Sequence, residues 1–116
     1  MSDHQKSYVG RRLIDGTAAV YVIDRDGDSN FLPMHLELCN HSPTGPEWGY
    51  AGSGPAQLAF AILFDALGDR EIALDLHQRF KFQRIGRLDR RRPWRMTEAD
   101  VIKWAANELG DADGPK

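Results

Sequence analysis

One cysteine, Cys39, is all that this chain of 116 residues carries. An internal disulfide framework is thereby excluded, and a reducing cytoplasm is the expected location. Long hydrophobic runs are missing too. The greasiest stretch, Leu58 to Leu67, is broken by Asp65 and is far shorter than a bilayer crossing requires, so no membrane association is expected. The opening residues MSDHQKS are polar and lack the apolar stretch of a secretory signal. Net charge is only −2, so global electrostatics select no partner. There is no internal repeat and no low-complexity tract. The chain length suits one domain with a modest core, expected over 6–110, with a frayed N-terminus at 1–5 and a flexible tail at 111–116.

What is present is unevenly distributed. Between Arg79 and Arg95 stand eight basic residues (Arg79, Lys81, Arg84, Arg87, Arg90, Arg91, Arg92, Arg95) and one acid, Asp89, a local +7 that leaves −9 for the rest of a chain of net −2. Such a split marks a site for an anionic partner. The second concentration is the segment 41–59, HSPTGPEWGYAGSGPAQLA, where turn residues surround a Trp/Tyr pair and run directly into an apolar helix. That much Gly, Pro and Ser beside two large aromatics is costly unless the loop is packed into one shape, and built loops are where function concentrates.

Hydrophobic patterning gives an α+β domain. Tyr8–Leu13 and Ala18–Ile23 read as strands joined by an Asp15-Gly16 hairpin turn. After the turn DRDGDSN, Phe31–Cys39 alternates as a half-buried strand, with Pro33 at its start. A core helix begins at Gly54-Pro55 and ends at Gly68; its polar exceptions, Gln57 and Asp65, share one narrow stripe. Asp69 caps a second helix through about Phe80, and alternation in FKFQRIGRL (80–88) predicts a fourth strand followed by a basic turn. The last helix starts at a Thr97/Asp100 capping pair with Met96 and Val101 as staple, and Gly110 is the expected stop. The expected order is βββααβα, a small antiparallel sheet of about four strands covered on one side by about three helices.

Several motifs carry chemistry in principle. The Gly-Ser-Gly-Pro entry to the first helix presents backbone N–H groups, making Ser53 and Gly54 anion-binding candidates, although no Walker lysine follows and Pro55 removes one donor. His35, Glu37, Cys39 and His41 share a parity that a continuous strand would place on one face, yet the spacing is no zinc pattern. Asp24, Asp26 and Asp28 resemble the start of a calcium loop, which then fails at Ser29 and His35. No metal and no cofactor are expected. Ser42 or Ser53, His41 or His77, and Glu47 supply the residue types for nucleophilic catalysis without any nucleophile-elbow signature, so no catalytic residues are assigned.

The block HSPTGPEWGYAGSGPAQLAFAIL, with Tyr8-x-Gly10-Arg11, His77-x-x-Phe80, Trp94 and Trp104, resembles a small family of uncharacterised domains from bacteria, archaea, phages and plasmids. The likeness spans roughly residues 7–106. It implies a prokaryotic or mobile-element context and no particular activity; DRRRP before Trp94 is more basic than the pattern.

From these features a small non-enzymatic binding module is expected. Its partner is macromolecular, protein or nucleoprotein rather than free nucleic acid. The contact residues are Arg84, Arg87, Arg90, Arg91, Arg92 and Arg95 on a basic hairpin over 84–95, together with Glu47, Trp48 and Tyr50 of the loop. The alternatives are a small-ligand binder or enzyme using the 41–54 loop, and a direct nucleic-acid binder using the hairpin, where Trp94 would stack a base.

Overall fold

A computed structural model describes residues 5–41 and 45–113. The first four residues, Ser42 and the last three residues of the expected tail lie outside the described residues. The elements are β1 (Ser7–Arg12), β2 (Ala18–Ile23), β3 (Ser29–Phe31), α1 (Ser53–Leu67), α2 (Arg70–Gln83), a 3-10 turn (Ile85–Arg87), β4 (Trp94–Thr97) and α3 (Glu98–Asp113). The order βββααβα holds, and the four strands form one antiparallel sheet in the order β3-β2-β1-β4.

Two faces of that sheet have different fates. Tyr8, Val20, Trp94 and Met96 point into the core with α1. On the other face, Val9 lies opposite Tyr21 and Arg95, and Tyr21 lies opposite Phe31. Phe31 is 69% exposed there, so among the described residues no helix covers this face. Gly10 pairs directly with Trp94, and a Cβ on Gly10 would lie 2.3 Å from the indole. The indole therefore rests on bare backbone.

The two polar residues within the apolar body of α1 have work to do. Asp65 accepts from the Tyr8 hydroxyl at 2.7 Å and pairs with Lys6 at 2.8 Å, tying the sheet to the helix. Gln57 is fully buried and serves the segment that follows β3. Helix ends follow their local chemistry. Asp69 accepts from the Ile72 N–H, Thr97 from the Asp100 N–H, and Gly68 closes α1. At the start of α1 the cap is Gly52, and the helix opens at Ser53.

The third strand is shorter and earlier than expected. Leu32 still donates to Val20, but Pro33 has no N–H to continue the ladder, and His35 turns the chain with φ 54. Residues after Pro33 form a turn closed by Leu38 and Cys39 donating to the His35 carbonyl. The fourth strand is not at 80–88. There α2 continues to Gln83, because Ala73, Leu76, His77 and Phe80 form one buried helical stripe, leaving Phe82 exposed. The strand is instead Trp94–Thr97, where buried Trp94 and Met96 flank exposed Arg95. The expected basic hairpin is thus a helix end, a 3-10 turn, a loop and a sheet strand. Finally, α3 passes through Gly110 to Asp113.

Candidate functional site

The loop after residue 45 is fixed by its aromatic anchor. Trp48 has no exposed surface, and its ring meets Trp94 edge-on at 5.6 Å. It is therefore not a contact residue for a partner; burying its large ring is what holds the loop in place. The Arg12 guanidinium lies 4.4 Å from the Trp48 ring centroid and grips Glu47 at two points, 2.8 and 3.1 Å. The same guanidinium donates to the Arg90 carbonyl at 3.0 Å. Gly49 donates to the Ile85 carbonyl, has φ 88, and lies so close to Arg90 that a Cβ would sit 2.6 Å from the Arg90 Cβ. Only glycine meets both demands. The loop and the arginine segment are thus adjacent.

The arginines differ in what they meet. Arg90 covers the half-exposed Tyr50 ring at 4.8 Å. Arg87, Arg91, Arg92 and Arg95 are exposed, while Arg84 is half-buried. Arg92 lies 3.5 Å from Asp89, a weak surface pair, and Arg95 donates to the Ser7 hydroxyl. An open recess of about 540 Å³ is lined by Arg12, Gly16, Glu47, Arg90 and Arg91. A neighbouring one is lined by Val9, Arg11, Arg12, Arg91 and Pro93, which carries the basic surface onto the uncovered sheet face. Trp94, buried in the core, has no face free to stack a base.

The anion candidate fares differently. Gly54 is buried beneath the Glu47 side chain and the Tyr50 hydroxyl, and a Cβ there would lie 2.8 Å from the Glu47 Cβ. A carboxylate-bearing side chain thus covers the start of α1, while Ser53 is exposed. The Asp24 carboxylate accepts from the Asp26 and Asp28 N–H groups, closing the β2–β3 turn.

A second polar centre lies beyond β3. His41 Nε2 stands 2.8 Å from His77 Nε2, and Cys39, His41 and His77 place their donor atoms within 4.8 Å of one another. The segment is held by Gln57, whose amide donates to the Met34 and Cys39 carbonyls and whose oxygen accepts from the His41 N–H, all at 2.6–2.7 Å. His77 is on α2, 6% exposed, and its Nδ1 donates to the Leu74 carbonyl at 2.7 Å. Burial holds its imidazole below the usual histidine pKa, and burial likewise raises the Cys39 thiol. His35 and Glu37 point to each other instead, at 3.4 Å.

A family model described as a family of unknown function (DUF6166) matches residues 8–107. The chain belongs to that family. No curated protein and no solved structure matches it. The DUF6166 match takes in the aromatic loop, the arginine segment and the Cys39–His41–His77 centre alike. No helix among the described residues is long and apolar enough to cross a membrane.

Sequence reasoning named Cys39 and His41 but grouped them with His35 and Glu37, whose strand does not exist. It missed the joining of His77 to the pair. The available signal was a histidine on the buried stripe of α2, which needs a polar partner from another element. Arg12 was likewise missed, because its partners Glu47 and Arg90 lie far from it in sequence.

Proposed function

We propose that this chain is a small, non-enzymatic binding module that docks onto an acidic macromolecular surface, protein or nucleoprotein, through its arginine face and Tyr50. One observation carries the reading: Arg11, Arg87, Arg90, Arg91 and Arg95 are exposed, and none forms an ion pair among the described residues. Clustered like charges without counter-ions repel, and an anionic partner relieves that repulsion. Guanidinium forks suit carboxylate and phosphate groups. The pinned backbone at Gly49 and Arg90 lowers the ordering cost of docking. In the phage or plasmid context that the resemblance implies, the concrete form is an inhibitor or accessory factor acting on a host nucleic-acid-processing or defence complex.

The test is affinity capture from a prokaryotic lysate with the intact chain, with and without nuclease. Changing Arg90, Arg91 and Arg92 together to glutamate is expected to abolish capture of the partner. Unchanged capture would sink the proposal. A second reading, single-stranded nucleic acid, is favoured by the uncovered sheet face, where Tyr21 stacks on Phe31 at 4.9 Å beside Arg11 and Arg95. It requires salt-dependent retardation of single strands that Tyr21→Ala with Phe31→Ala removes.

A further inference from the structure

We propose that Cys39, His41 and His77 form a binding site for one zinc-class divalent ion, distinct from the arginine face. The three residues converge from two elements. Two from a loop and one from α2 bring a thiol and two imidazole nitrogens within 4.8 Å of one another. In a tetrahedral zinc site, with bonds of about 2.0–2.3 Å, donor atoms lie roughly 3.3–3.7 Å apart, so small ring and thiol rotations close the set. One thiol and two imidazoles match the borderline-soft preference of zinc.

His77 is also oriented as a ligand would be. Its Nδ1 faces a carbonyl oxygen, which can only accept, so Nδ1 carries the proton and Nε2 presents its lone pair to His41. Metal-ligating histidines are commonly oriented in this way, by a second hydrogen bond from the other ring nitrogen. In the metal-free chain His41 Nε2–H fills the gap by donating to His77. On ion binding the His41 proton moves to Nδ1, the Cys39 thiol releases its proton to solvent, and both nitrogens and the sulfur turn lone pairs to the ion. The fourth tetrahedral position is left for water.

The loop ligands have a rigid support. Gln57, sealed within α1, fixes the backbone on both of them, through the Cys39 carbonyl and the His41 N–H. A single core side chain thus sets the spacing of the Cys-x-His pair. This is more organisation than a surface turn needs. Among the described residues the other candidate cluster, Asp24, Asp26 and Asp28, is closed around its own backbone, with the Asp24 carboxylate accepting from the Asp26 and Asp28 N–H groups.

The experiment is cobalt titration of the metal-free full chain, read by absorption, followed by zinc competition. Expected are one cobalt per chain, tetrahedral visible bands, a sulfur-to-cobalt charge-transfer band, and stoichiometric displacement by zinc. Cys39→Ser should remove the charge-transfer band. His41→Gln should weaken binding by about tenfold or more, with the fold confirmed by circular dichroism. His77→Gln is the third arm, and because His77 is buried the two loop variants decide. Asp26→Asn with Asp28→Asn should change nothing. An octahedral spectrum without the charge-transfer band, no binding above background, or full affinity in His41→Gln would each overturn the site.

Discussion

Two polar contacts stand on either side of residues 42–44, and they differ in what they leave over. At Glu47 a carboxylate meets a guanidinium at two points, and the charges cancel. At His41 an imidazole meets another imidazole, and no opposite charges are paired: one ring nitrogen donates to the lone pair of the other. The first contact leaves no net charge over. Whatever the arginine end does must therefore come from the surplus of cations around it. The second contact is a joint between like groups, and its own atoms are the resource. Structural pairing and available chemistry are thus separated along a few residues of one loop.

The largest way to break that contrast is Trp48→Ala. The ring is wholly buried against Trp94 and under Arg12, so its removal is expected to cost about 3–5 kcal/mol in urea unfolding. Partner capture by the arginine face should fall with it. Metal binding in the surviving folded fraction should not.

A smaller loss, about 2–4 kcal/mol, is expected for Gln57→Leu, which strands the Met34 and Cys39 carbonyls and the His41 N–H without their partner. Its effect is the reverse of the tryptophan variant. Cobalt affinity should drop while capture through the arginines persists, and equal losses in both assays would show the two ends to be one unit.

The smallest effect sharpens the contrast by touching neither end. Tyr8→Phe removes the hydrogen bond to Asp65, which keeps Lys6, and should cost about 1 kcal/mol near neutral pH. Its signature is alkaline. Burial, reinforced by Asp65, raises the Tyr8 phenol above its ordinary 10.0; at Lys6 burial works downward, but Asp65 and Glu98 prevail and raise it above 10.5. Both groups keep protons in the folded chain that the unfolded chain releases. Stability is therefore intact below about pH 10 and falls as pH rises beyond it. Tyr8→Phe should flatten that fall in a pH series of thermal unfolding, with both binding activities unchanged.

Local signals carried most of the fold. The Asp15-Gly16 hairpin, the Asp69 and Thr97 caps and the greasy α1 all act within a few residues, and all stand where the sequence places them. The fourth strand did not read correctly, because FKFQ alternates while also continuing the helical stripe of α2; tertiary burial of Leu76, His77 and Phe80 decided for the helix. The true strand, Trp-Arg-Met-Thr, shows its alternation over only four residues. In the site, Glu47, Tyr50 and the arginines were legible as residues and were expected side by side, but the contacts that hold them there were not legible. The bonds that unite them, from Arg12 to Glu47 and Arg90, span dozens of positions. Gln57 looked like an exception on an apolar helix, and only the folded chain shows that it serves the Met34 and Cys39 carbonyls and the His41 N–H.

The bare backbone of Gly10 beneath the Trp94 indole has a consequence for how the edge strand finds its place. It works as a keyhole. Sliding β4 by two residues along β1 keeps the same side inward but sets the indole on Tyr8 or Arg12, where a full side chain already stands; sliding by one turns the indole out to the solvent side. A strand of four residues has few hydrogen bonds with which to choose among alignments. One large ring and one notch choose for it, and the arginine that follows the ring is thereby delivered to the outer side.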